Sequence, residues 1–149
     1  MRRISIIVLL ASLPLSVHRL DEYVQGAIVS VEKDRVAIEM TLTPGVAVFP
    51  SVIAAIDTDS NGSISESERR SYVSQVQHDL TLSIDGRQLT PEVVSTKFPS
   101  LDEMQEGREI QIVFHAALPE GGRHHKLSLE NHHQTTISTY LMNSIVPRV

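Results

Sequence analysis

The sequence predicts an α+β fold: a small β-sandwich-like antiparallel domain with one helix–loop–helix inserted into it. Three observations carry this expectation. Apolar and polar residues alternate through most of the chain, the period of half-buried strands. Residues 47–78 break that rhythm, with apolar residues at three- and four-residue intervals on both sides of an oxygen-rich stretch. The 149 residues include no Cys, no Trp and few aromatics, so a single domain with a core of Val, Ile and Leu is expected.

The elements follow in order. Met1-Arg2-Arg3 is a positive start, and Ile4 to Leu13 is an apolar run of signal-peptide length, short for a membrane span. Residues 1–17 are therefore expected to be a signal peptide, cleaved near Val17–His18. Residues 18–149 are then one exported domain, periplasmic or secreted; a retained N-terminal anchor, leaving it membrane-associated, is the alternative. Ala27–Val31 and Val36–Leu42 alternate around the polar turn Glu32-Lys33-Asp34-Arg35 and predict a hairpin, with Val36, Ile38, Met40 and Leu42 on one face. After the insertion, Leu80, Leu82 and Ile84 alternate and lead into Asp85-Gly86, a hairpin-turn pair. Leu89 to Phe98 predicts one or two strands and Leu101 to Arg108 a polar loop. Ile110, Ile112 and Phe114 form another strand, Leu127 and Leu129 a short one, and Ile137 to Val146 a last apolar one. About seven strands result, the number that suits a sandwich.

The insertion holds the chemistry. Residues 57–68 read DTDSNGSISESE. Counting from Asp57 as the first position, Asp59 and Asn61 are third and fifth, Gly62 sixth, Ser63 seventh, Ser65 ninth and Glu68 twelfth. A hard cation such as Ca²⁺ takes about six to eight oxygens in a flexible shell. Asp57, Asp59 and Asn61 each offer a side-chain oxygen, Ser63 a backbone carbonyl, Ser65 a water-mediated contact and Glu68 two oxygens. Gly62 permits the sharp turn at the sixth position. Phe49, Val52, Ile53 and Ile56 form one helical stripe before the loop, and Tyr72, Val73 and Val76 another after it. Ser65-Glu66-Ser67-Glu68 is a capping box, so Glu68 is expected to act twice, as ligand and at the helix start.

On these residues the segment resembles a single EF-hand, matching D-x-[DN]-x-[DN]-G-x5-E without substitution. The resemblance implies Ca²⁺ held by Asp57, Asp59, Asn61, Ser63, Ser65 and Glu68. One departure is Arg69, where such units commonly carry an apolar residue; it weakens the expected packing of the outgoing helix. An acidic surface turn that binds nothing is the plainer reading, and Asn61-Gly62-Ser63 is also formally a glycosylation acceptor. EF-hands usually pair, and Ile64, the eighth position, normally bridges to a partner loop. No second such loop occurs in the sequence. Either the β-domain braces the unit, or two chains dimerise through it, or the loop stays weak and unbraced. Weak binding suits an exported module, for which dissociation constants of about 10⁻⁴–10⁻³ M are typical.

The remaining residues exclude more than they assign. The formal charge is −5 and basic clusters are absent beyond the first residues, which argues against a nucleic-acid partner. Seven histidines are many for this length. His124-His125 and His132-His133 bracket a short strand, with His115 on the strand before. They are expected to be polar hairpin ends, since adjacent strand residues point to opposite faces; a transition-metal site is the alternative. Without Cys, a thiol nucleophile is excluded, and no motif for a serine hydrolase, a zinc peptidase or a phosphate loop occurs. The chain is expected not to be an enzyme.

A wider resemblance covers residues 18–147. HRLDEYVQGAIVSVEKDRVAIEMTLTPGVAV, followed at once by the acidic loop, and HHQTTISTYLMNSIVP near the end are similar to the exported front domain of bacterial HupE/UreJ-like membrane proteins, hydrogenase/urease accessory types. That resemblance implies an accessory or sensing domain for a membrane metal transporter. It also implies a membrane-protein partner, or a membrane domain that the sequence lacks.

Overall fold

The computed structural model describes residues 21–121 and 125–145. The expected signal peptide, the His124 side of the first histidine pair and the last residues lie outside them. The architecture is α+β, with mostly antiparallel strands. In chain order the described elements are β1 (Tyr23–Val31), β2 (Arg35–Pro44), α1 (Phe49–Ile56), α2 (Glu66–His78), β3 (Leu80–Ile84), β4 (Arg87–Leu89), β5 (Glu92–Lys97), α3 (Leu101–Gln105), β6 (Ile110–Ala117), β7 (Leu127–Asn131) and β8 (Ser138–Ile145). They form a five-stranded sheet in the order β5-β6-β2-β1-β8 and a three-stranded sheet in the order β4-β3-β7.

Local sequence dictates most of these elements. The β1–β2 hairpin closes over the expected polar turn, pairing Val31 with Val36 and Tyr23 with Pro44. Asp85 and Gly86 both take positive φ, 50° and 80°, and return the chain from β3 to β4. Left-handed backbone at both central positions matches the right-handed twist of the flanking strands. The alternation in β2 and β6 is read out directly. Val36, Ile38, Met40 and Leu42 are buried, as are Ile110, Ile112 and Phe114. Paired across the ladder, Ile38 meets Phe114 and Met40 meets Ile112. Leu80 and Leu82 from the small sheet, and Val52, Ile56, Tyr72, Val73 and Val76 from the helices, join the same apolar cluster. One core therefore serves both sheets and the inserted helices.

Eight strands are described, the 87–97 region taking the two-strand form of the expectation, divided at Thr90-Pro91 into β4 and β5. Two expectations need correction. Residues 101–108 are not a plain polar loop: Leu101–Gln105 is a short helix with its own capping box, Ser100 and Glu103 bonding reciprocally. The missed signal is Ser100-Leu101-Asp102-Glu103 together with Met104, which is fully buried. The framework is not wholly antiparallel either. β8 runs parallel to β1, Tyr23 beside Ser138 and Ser30 beside Ile145. A parallel neighbour needs a long crossover, and everything between β1 and β8 supplies it.

Leu82 belongs to the small sheet yet is fully buried with β2 and β6 residues. Leu82→Ala is expected to cost about 2–5 kcal/mol in urea unfolding. Val94→Ala, on exposed β5, is expected to stay within about 0.5 kcal/mol. Equal effects would mean that the small sheet does not share the core.

Candidate metal centre

The loop between α1 and α2 begins where α1 ends. Asp57 is the C-cap of α1, its N–H bonded to the Ile53 carbonyl at 2.8 Å. Its carboxylate then folds back over the loop. Oδ1 accepts from the N–H of Asn61 at 3.1 Å and Oδ2 from the N–H of Gly62 at 2.9 Å. Two positive-φ residues, Ser60 at 56° and Gly62 at 84°, let the backbone wrap around that carboxylate. An alanine at residue 62 would meet no steric neighbour, so the requirement for glycine there is one of backbone angle. The N–H and side-chain amide of Asn61 also bond Asp59, at 3.2 and 2.8 Å. The Asn61 carbonyl oxygen accepts from the N–H and hydroxyl of Ser63, both at 2.9 Å.

Glu68 closes the loop from the far side. Its Oε2 accepts from the N–H and hydroxyl of Ser65, at 2.8 and 2.7 Å, while Ser65 Oγ caps the Glu68 N–H at 3.2 Å. The capping box is therefore present. Its Oε1 accepts from the N–H of Thr58 at 2.8 Å and, more weakly, from the Thr58 hydroxyl at 3.2 Å and the N–H of Asp59 at 3.4 Å. Glu68 thus staples both ends of the loop together. These donors, Ser65 first, hold its carboxyl down at about 2 against an ordinary 4.5. Hydrogen bonds that favour the charged form lower a pKa. The carboxylate's contribution to folding is complete above about 4.5 and is lost as the pH falls toward about 2.

All six residues singled out in the sequence share this one hydrogen-bonded loop. Three converge as a charged cluster: carboxylate oxygens of Asp57, Asp59 and Glu68 lie within 4.8 Å of one another. Asp57 is only 4% exposed and Glu68 only 6%. Buried like charges repel unless something offsets them, and the loop N–H groups do so in part. The donor set is all oxygen, the chemistry of a hard cation rather than a soft one. Asn61 Oδ1 faces Ser63, and Ser65 Oγ is committed to the helix cap, so these two side chains act within the loop. Ile64 is partly buried against the apolar cluster that the helices and strands share. Arg69 stands outside the buried residues of α2, which are Glu68, Tyr72, Val73 and Val76.

The described histidines form no cluster of three potential metal ligands. His125 Nδ1 lies 2.6 Å from Asp85, His132 Nε2 3.0 Å from Glu130, and His133 is elsewhere. Among the described residues the acidic triad is the one cluster of three potential metal ligands. His133 corrects the expectation of polar hairpin ends, because it is 1% exposed. Its Nδ1 meets Asp79, the C-cap of α2, at 2.8 Å, and its Nε2 meets the hydroxyl of Tyr72 at 3.0 Å. The Tyr72 hydroxyl lies 2.7 Å from that of Tyr23 on β1. With the proton of the ring on Nδ1, each group finds a partner: Tyr23 donates to Tyr72, Tyr72 to Nε2, and Nδ1–H to Asp79. An Asp–His–hydroxyl line is the skeleton of a general-base relay. Here Tyr23, Tyr72 and His133 are sealed in the core, and the line ties α2 to β1 and to the turn before β8. Sequence reasoning missed it because the partners stand 49 to 61 residues apart. The available signal was Tyr72 itself, a phenol on a buried stripe whose hydroxyl needs a partner.

Burial lowers the pKa of His133, opposed by Asp79, while the Asp85 carboxylate raises that of His125. His133 therefore stabilises the fold above its unfolded value of about 6.5 and loses that contribution as the pH falls. The contribution of His125 has the opposite sign: it is present below about 6.5 and lost as the pH rises through its folded value. NMR titration of the ring resonances is expected to place the two midpoints on opposite sides of about 6.5, with Asp85→Asn returning His125 to the ordinary range. Tyr72→Phe, which strands Tyr23 and His133 Nε2, is expected to lower stability by about 1–3 kcal/mol in denaturant unfolding. A neutral result would mean that the clasp carries no weight.

No protein-family model, curated protein or solved structure matches the chain, so the assignment of this centre stands on its geometry.

Proposed function

We propose that this chain is a non-catalytic, exported calcium-binding domain: a β-sandwich-like framework carrying one EF-hand, with Ca²⁺ in a structural, low-affinity role. One observation carries the reading. The carboxylates of Asp57, Asp59 and Glu68 converge within 4.8 Å on a loop whose first and last members are buried. A divalent cation relieves the repulsion among three such groups better than hydrogen bonds alone. Ca²⁺ suits the loop better than Mg²⁺, because Mg²⁺ demands a strict octahedron and gives up its waters reluctantly, whereas Ca²⁺ accepts an irregular set of carboxylate and carbonyl oxygens. Export rests on the pattern of residues 1–17.

The structural rather than regulatory role follows from how the loop is held. Glu68 already staples the loop through Thr58 and Ser65, and α2 is clasped through Tyr72 and His133. The cation then adds stability to helices whose angle is already set. A sensor instead needs helices that are free to reorient on binding.

Calorimetric titration with Ca²⁺ and then Mg²⁺ tests this. Saturable Ca²⁺ binding at about 10⁻⁴–10⁻³ M is expected, with Mg²⁺ weaker. Asp59→Asn, at an exposed ligand that caps no helix, is expected to weaken binding by about tenfold, and Glu68→Gln by at least that. A melting temperature unchanged at millimolar Ca²⁺, with no heat of binding, would overturn the proposal.

A further inference from the structure

The outer strand β5 has an anomaly of burial. Its register pairs Val93 with Phe114 and Thr96 with Ile112. Residues directly opposite in a ladder point to the same face of the sheet. Phe114 and Ile112 are fully buried, so Val93 and Thr96 stand on the core side. Yet Val93 is 41% exposed and Thr96 is exposed as well. The sheet edge overhangs the core, and the space above it is a groove of about 390 Å³ between β5 and α2. That volume lies at the small end of the range for sites that take small organic molecules, roughly 300–1,000 Å³.

The two walls differ in chemistry. Val73, Val93 and Phe98 supply apolar surface. Arg69 and Arg70, from the first turns of α2, also line the groove and bring positive charge to it. Neither arginine makes an ion pair among the described residues, whereas Arg35 and Arg108 both do. Glu66, one turn earlier, also lines the groove and forms no ion pair with them among the described residues. The Nε of Arg69 is buried and has no hydrogen-bond acceptor, so the protein leaves this guanidinium without a partner among the described residues. A carboxylate is the acceptor that a guanidinium matches best.

We propose that this groove binds a small organic anion with an apolar body, the carboxylate against Arg69 and Arg70 and the body over Val93 and Phe98. The two arginines select the charge, and the overhang of β5 selects against fully hydrated ions such as sulfate. The groove adjoins the acidic loop, whose Glu66 lines it, but none of the converging carboxylates Asp57, Asp59 and Glu68 does, and its occupancy does not require a metal.

Octanoate is a suitable probe, with 1-octanol as the same body without charge and sulfate as charge without body. Amide shifts in the ¹⁵N-labelled protein report the binding. Octanoate is expected to give saturable shifts at Ser74, Val93, Thr96 and Phe98, with a Kd below about 1 mM. 1-Octanol and sulfate are each expected to bind at least about tenfold more weakly. Arg70→Gln, at an exposed position, is expected to weaken octanoate by about tenfold. Thr96→Glu, on the opposite wall, places a like charge in the groove and is expected to abolish binding without touching α2. Three results would each overturn the proposal: 1-octanol binding as tightly as octanoate, octanoate shifts that centre outside the groove, or shifts along β5 with an extended acidic peptide but none with octanoate.

Discussion

The hydroxyl of Tyr72 is the point on which the two parts of this protein meet. Tyr72 lies one helical turn beyond Glu68 on α2, so whatever fixes the phenol also fixes the closing residue of the acidic loop. The clasp joins Tyr23 of β1, Tyr72 of α2, His133 before β8 and Asp79 at the end of α2. All but Asp79 are withdrawn from water. Buried polar groups are tolerated only when paired, and a line in which each donor meets one acceptor admits few other arrangements. The apolar core holds α2 against the sheets; the clasp sets where along them it sits.

Around His133 a second layer keeps the clasp in place. Its carbonyl accepts from the amide of buried Gln25 at 2.9 Å and from the hydroxyl of Tyr140 at 2.7 Å. Asn131 bonds both the His133 N–H and the Gln25 side chain, each at 2.9 Å. Gln25 is on β1, Tyr140 on β8 and Asn131 ends β7, so this polar knot also joins the two sheets. Glu22, just before β1, accepts from the Thr139 hydroxyl on β8. The parallel entry of β8 beside β1 is thus secured by side chains as well as by the ladder. Parallel pairing is slightly weaker per residue, and here it has help.

The acidic loop and the arginine groove share the first turns of α2 and differ in how their charge is handled. The carboxylates of the loop are surrounded by hydrogen-bond donors, and the Ser65 hydroxyl first, then backbone N–H groups, hold the Glu68 carboxyl down at about 2. The guanidinium groups of Arg69 and Arg70 have no such company among the described residues, and one of their nitrogens is buried without an acceptor. One helix thus begins with negative charge that the protein's own donors partly offset and continues with positive charge that makes no ion pair among the described residues. Residues 68 and 69 are neighbours in sequence, but a helix turns about 100° per residue and sends them to different faces.

What was legible in the sequence was local. The spacing of Asp57, Asp59, Asn61, Gly62 and Glu68 announced a loop folded around its carboxylates, because side-chain and backbone geometry over twelve residues depend on little beyond those residues. The same is true of the Ser65–Glu68 capping box, the Asp85-Gly86 turn and the alternation that buries Val36, Ile38, Met40 and Leu42. Helix α3 was local too; its capping box was readable, but five residues of polar composition hid it. Tertiary structure alone decided the rest. The parallel placement of β8 depends on strand order, which alternation does not encode, because a strand keeps its faces whichever neighbour it takes. The fate of His133 depends on Tyr72 and Asp79, brought to it across more than fifty residues, and no periodicity links them. The uncovered inner face of β5 is a matter of how far a helix reaches across a sheet, which only packing determines.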